Sequence, residues 1–158
     1  MPLHYEDVLS ASTARIARLL GFVPMDIEAG THLCYGDPGR KHIIEPTDLS
    51  TCVAYANGIA QASARPVNFI HMPVPRDRSD AAYFAPLGAL SLPAETDLYL
   101  GLVHFTDGAD GAAARLAVAL ASSADHVGSF GIATECGFGR RDPVTILPLL
   151  GIHATVAG

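Results

Sequence analysis

The chain has 158 residues, of which 49% are hydrophobic and 16% charged, and its 16 acidic and 10 basic residues give a formal net charge of −6. So apolar a composition excludes an intrinsically disordered chain, and the acidic balance argues against a nucleic-acid or anionic-membrane partner. The mean hydropathy of +0.29 comes without an uninterrupted apolar run long enough for a transmembrane helix. We expect a single domain over residues 1–158, and a cytoplasmic one because the N-terminus lacks a signal-peptide pattern.

Helical and extended patterns alternate along the chain. The spacing of apolar residues predicts, in chain order, a helix over residues 6–20, an extended segment over 24–35, a helix from about 49 that Thr47 or Asp48 caps, a strand over 67–71, a looser helix over 80–90, a strand over 97–104, a helix over 111–124, a strand over 129–134 and a helix over 143–156. The strand over 97–104 is almost entirely apolar, as in a strand buried on both faces. This order predicts an α/β protein with a parallel sheet.

Residues able to bind a metal recur at the carboxyl end of every predicted strand, where α/β proteins bind ligands. The four ends carry His32 and Cys34, then His71, then His104, and finally Glu135 and Cys136. Residues 32 and 34 are two apart, so on a strand their side chains point to the same face. Two imidazoles and two thiolates form a tetrahedral donor set that zinc favours. The sequence therefore predicts a zinc site made by His32, Cys34, His71 and Cys136.

Other residues near these strand ends have weaker patterns. Arg76 follows the second strand and is placed to hold a substrate carboxylate at the rim of a site, as are Arg140 and Arg141 after Cys136. The segment GDPGRK lacks the spacing of a phosphate-binding loop. An unrelated α/β enzyme that uses Cys34 or Cys136 as a covalent nucleophile beside a histidine stays open at this point.

Three segments, GTHLCYGD, LYLGLVHFTDG and IATECGFGRR, resemble the catalytic barrel of the cobalamin-independent methionine synthase family, and its shorter single-barrel relatives most of all. The resemblance runs from about residue 26 to 158. It implies that His32, Cys34 and Cys136 hold a catalytic zinc. The family's remaining ligand is a glutamate, and His71 stands in its place here.

The resemblance implies zinc-dependent transfer of a methyl or alkyl group to a thiol substrate. The zinc lowers the pKa of the substrate thiol, and His104 is implied as the general acid that protonates the leaving group. Tyr35, Asp37 and Glu135 flank the ligands and are expected to orient them or to hold a substrate amine.

Four predicted strands correspond to only the C-terminal half of the family's eight-stranded barrel. A half barrel leaves two unpaired sheet edges and one apolar face uncovered. We therefore expect a homodimer or a complementary half-barrel subunit to complete it. The alternative is a non-catalytic, truncated relative that keeps the metal motif as a zinc-binding or assembly protein.

Overall fold

The computed structural model describes residues 7–36, 43–123 and 130–158, and within them the protein has an α/β fold around one parallel sheet. The elements in chain order are α1 (Val8–Leu20), β1 (Gly30–His32), α2 (Ser50–Ala62), β2 (Phe69–Pro73), α3 (Ala81–Phe84), β3 (Asp97–Val103), α4 (Gly108–Ser123), β4 (Gly131–Thr134) and α5 (Ile146–Ala157). Short 3₁₀ turns at Ala85–Ala89, Phe138–Arg140 and Pro143–Thr145 complete the pattern. The predicted alternation of strands and helices is confirmed.

The strands lie in the sheet in the order β1-β2-β3-β4, and every neighbouring pair is parallel. Sequential parallel strands with a connection between each pair are the arrangement of half a TIM barrel, so the predicted fold class is confirmed. Within the described ranges, β1 and β4 are the two edge strands. No helix in those ranges combines the length and apolarity needed to cross a membrane.

Two strands differ from their predicted positions. The extended segment over 24–35 contributes only three residues to the sheet, and β2 begins and ends two residues later than predicted. Before β1 the chain turns instead of pairing, and the buried Arg65 holds that turn by donating hydrogen bonds to the carbonyls of Val23, Pro24 and Ile27. His71 consequently lies in the middle of β2, and the strand continues past it to Pro73.

One face of the sheet packs against the helices and forms the main core. Alternate residues of β2 and β3 point to this face, and Ile70, Leu98 and Leu100 are almost completely buried there. They pack with α2 residues such as Ala56 and Ile59. Apolar side chains at every second strand position thus account for much of the high hydropathy.

The opposite face, which we call the open face, carries His32, Phe69, His71 and Tyr99, the strand residues that alternate with the core set. Phe69 and Tyr99 are 37% and 36% exposed and meet edge to face, with ring centroids 6.3 Å apart. Two large aromatic residues exposed side by side on a sheet are unusual for a surface that meets only water. The open face corresponds to the inside of a barrel.

Candidate metal centre

Three of the predicted ligands meet at the carboxyl end of the sheet. His32, Cys34 and Cys136 each offer one ligand atom, and these atoms all lie within 4.8 Å of one another. His32 ends β1, Cys34 follows it by two residues, and Cys136 follows β4. We call these three residues the metal cluster.

The metal cluster joins the two edge strands of the sheet. Three strand spacings separate β1 from β4, about 14 Å in a flat sheet, yet Cys136 Sγ lies 3.7 Å from His32 Nε2. The two side chains meet because the loop after β4 lies over β3, where a Cβ atom at Gly101 would come within 2.8 Å of the Glu135 Cα atom. This brings Cys136 towards the carboxyl end of β1.

The donor set fits zinc. Two ligands at the usual Zn–N and Zn–S distances around a tetrahedral ion lie about 3.6 Å apart, which the 3.7 Å separation of Cys136 Sγ and His32 Nε2 matches. Cys34 Sγ accepts a hydrogen bond from the Gly36 amide at 3.3 Å. Gly36 has φ of 90°, a conformation that favours glycine, so the turn that aims this amide at the sulfur depends on residue 36.

His71 lies beside His32 and outside the metal cluster. The register of β1 against β2 pairs the two residues, and their rings stack with centroids 4.7 Å apart and planes 27° from parallel. The two Nδ1 atoms are 2.8 Å apart. Burial, followed by the neighbouring His32, lowers the pKa of His71 to about 4, and burial also lowers the pKa of His32.

His104 lies just after β3 and is 7% exposed. Its Nε2 is 2.8 Å from the carbonyl oxygen of Val74, so Nε2 carries a proton and donates it there. On the other side of the ring, Nδ1 lies 3.7 Å from Glu135 Oε2. Burial, then the positive charge of Arg115, lowers the pKa of His104 to about 4. The ring is therefore neutral near pH 7.

The residues predicted to bind substrate are dispersed. Tyr35 turns its hydroxyl to Cys52 Sγ of α2, 3.0 Å away, and burial raises the pKa of both groups, that of Cys52 to about 11. Arg76 is exposed and donates to Thr106 Oγ1. Glu135 lies against His104, the predicted general acid. Asp37 lies outside the described residues.

A buried arginine that the sequence analysis did not single out holds the loops around His104. Arg115 of α4 donates to the carbonyls of Leu102 and Arg76 and makes a two-pronged ion pair with Asp107. The sequence feature that could have indicated a buried role for Arg115 is its position as the single arginine in the otherwise apolar run AAARLAVAL. Charged residues in such a run are usually exposed, so only its contacts show that Arg115 is structural.

Comparison of the chain with protein-family models, with curated proteins and with solved structures gave no match.

Proposed function

We propose that this protein is a zinc-dependent enzyme that transfers a methyl or alkyl group to a thiol substrate, as its resemblance to the cobalamin-independent methionine synthase family implies. The observation that supports the proposal most is the placement of the metal cluster at the same sheet end as the His104–Glu135 pair. Three protein ligands leave one tetrahedral position for an exogenous group, the usual arrangement of a catalytic zinc site.

In this proposal His32, Cys34 and Cys136 hold the zinc. When bound, the metal would supply Lewis-acid stabilisation of a substrate thiolate near neutral pH. The carboxyl end of the sheet, where the cluster lies, would admit the thiol and the donor, and the exposed Arg76, which follows β2 at that end, would hold a substrate carboxylate.

His104 is the proposed proton donor to the leaving group. It is neutral near pH 7, with its one ring proton on Nε2, so it would first take up a second proton at Nδ1. The thiol substrate would release such a proton when it becomes a thiolate. Glu135, with Oε2 3.7 Å from Nδ1, is the carboxylate that would favour the protonated ring when a bound donor excludes water. In this role Glu135 orients His104 and stabilises its protonated form, and it does not bind the metal.

The cysteine ligands provide the most direct test of the zinc site. We expect about one zinc per chain in the purified protein by elemental analysis, and loss of most of it in Cys34→Ser and Cys136→Ser, because each replacement removes a thiolate ligand. Cys52→Ser is the matched control: its sulfur contacts Tyr35 in the core, and it should retain the zinc.

A wild-type protein without zinc would overturn the proposal. The access of thiols to the metal can be measured on the cobalt-substituted protein, whose charge-transfer bands change when a thiol binds the metal. Bands that added thiols leave unchanged would favour the non-catalytic alternative, a zinc-binding or assembly protein. Rapid alkylation of one cysteine, unaffected by zinc or chelator, would favour a covalent cysteine nucleophile.

We further propose that four more parallel strands cover the open face, from a second copy or from a complementary half-barrel subunit. The support is the pair of edge strands together with the exposed Phe69 and Tyr99. In a two-fold arrangement β4 of each copy would pair with β1 of the other, which closes eight parallel strands.

Light scattering tests this proposal on the zinc-loaded protein. A homodimer is expected to have twice the 16.5 kDa mass of the chain, and replacing Tyr99 with Asp should shift it towards monomer because the charge would be buried at the interface. Val144→Asp is the control, since that side chain is 75% exposed outside the sheet. A wild-type monomer that binds zinc and a thiol as well as any oligomer does would contradict it.

A further inference from the structure

We propose that His71 is not the fourth zinc ligand but a positioning residue, which accepts a hydrogen bond from His32 and thereby directs the unprotonated Nε2 of His32 to the metal. This inference rests on the proposed zinc site. It assigns to His71 a role different from that of the glutamate that the resemblance places at the same position.

One proton lies between the rings of His32 and His71. The Nδ1 atoms of His32 and His71 are 2.8 Å apart, so they share one hydrogen bond, and one of them must be the donor. Both rings lie on the open face at paired positions of β1 and β2. The strand register, not a flexible loop, sets this contact.

Metal binding by His32 decides which of the two rings donates this hydrogen bond. Nε2 is the His32 atom that faces Cys136 Sγ, at 3.7 Å, and a metal ligand nitrogen must be unprotonated. A neutral imidazole has a single ring proton, so in metal-binding His32 that proton is on Nδ1. His32 is then the donor and His71 Nδ1 the acceptor.

The other ring nitrogen of His71 is Nε2. With Nδ1 accepting, neutral His71 carries its proton on Nε2, which is buried. Among the described residues that atom has no hydrogen-bond partner.

Gly101 makes room for this arrangement. A Cβ atom at residue 101 would lie 3.2 Å from His71 Nε2 and 2.8 Å from the Glu135 Cα atom. The ring is therefore seated against the backbone of β3 and the start of the β4 loop. Neither of its nitrogens is left to bind the metal, because Nδ1 accepts the hydrogen bond of His32 and Nε2 lies against Gly101 of β3.

A residue that accepts a hydrogen bond from a ligand histidine fixes the tautomer and orientation of that ring, and its loss usually weakens metal affinity 10- to 100-fold. The inference thus leaves the fourth zinc position to an exogenous group. It also explains how a histidine is accommodated beside the site without filling it.

The test combines the zinc coordination shell with zinc affinity. X-ray absorption of the zinc-loaded wild-type protein should count two sulfurs and one imidazole per zinc. In His71→Leu the same shell should remain, while competition with a chromophoric chelator should show about 10- to 100-fold weaker binding. His71→Gln should recover most of the affinity, because its amide oxygen can accept from His32 Nδ1. His153→Gln is the control, since that ring contacts the Leu149 carbonyl of α5.

A second measurement needs no variant. Long-range ¹H–¹⁵N correlation spectra of the zinc-loaded wild-type protein should show His32 protonated at Nδ1 and His71 at Nε2. Two imidazoles per zinc, or a His71 nitrogen with the chemical shift of a metal ligand, would overturn the inference. The proposed function would then stand only if an added thiol still perturbs the metal by displacing one of the four protein ligands. A wild-type protein that binds no zinc would overturn both.

Discussion

Replacing Arg115 with Met is expected to lower the free energy of unfolding by about 3–5 kcal/mol, the range found when one partner of a buried ion pair is removed. Arg115 is 1% exposed, and its guanidinium makes four hydrogen bonds, to Leu102, Arg76 and both carboxylate oxygens of Asp107. Met retains the volume of the side chain but leaves these acceptors unpaired. Since the Asp107 side chain is 30% exposed, water can reach it, and we expect the lower end of the range.

Urea unfolding at pH 7 measures the effect as a fall in the transition midpoint with little change in slope. Arg78→Met is the matched control. Arg78 also pairs with an aspartate, Asp80, but the two side chains are 28% and 50% exposed. Exposed pairs contribute about 1 kcal/mol or less. Equal losses in the two variants would contradict a structural role for Arg115.

Between pH 6.5 and 4 the metal-free protein is expected to lose on the order of 3 kcal/mol of stability through His104 alone. The pKa of His104 is lowered from its ordinary 6.5 to about 4, by burial first and by the charge of Arg115 second. In this window the unfolded chain binds a proton that the folded protein does not. Stability is therefore full above about pH 6.5 and falls as the pH approaches 4.

The measurement is the unfolding free energy against pH, in chelator, for the wild-type protein and His104→Gln. Glutamine can still donate to the Val74 carbonyl but does not titrate. The variant should keep a weaker pH dependence, because the pKa of His71 is also lowered to about 4. A His104 NMR titration with a midpoint at 6.5 or above would contradict the prediction. It would also remove the constraint that His104 must gain its proton when the donor binds.

Local sequence patterns predicted most of the secondary structure. The almost continuous apolar run over 97–104 and the helical spacing in the segment over 111–124 depend only on neighbours along the chain, and both elements form close to their predicted bounds. The extent of β1 and the two-residue displacement of β2 were not predictable in this way. They depend on which backbone groups find partners across the sheet and on the turn that Arg65 holds.

The sequence by itself determined the fold class, and it placed His32 and Cys34 together at the carboxyl end of the first strand, although β1 ends at His32 and Cys34 lies just beyond it. Only the tertiary structure decided that Cys136, 104 residues away, reaches His32 at the carboxyl end of the sheet. It also decided that His71 stacks on His32 and that Tyr35 turns to Cys52. Strand register sets the contact of His32 with His71. The other two contacts depend on how loops and a helix from distant parts of the chain pack against the sheet. Periodicity reports which face a residue occupies, but not which distant residue it meets there.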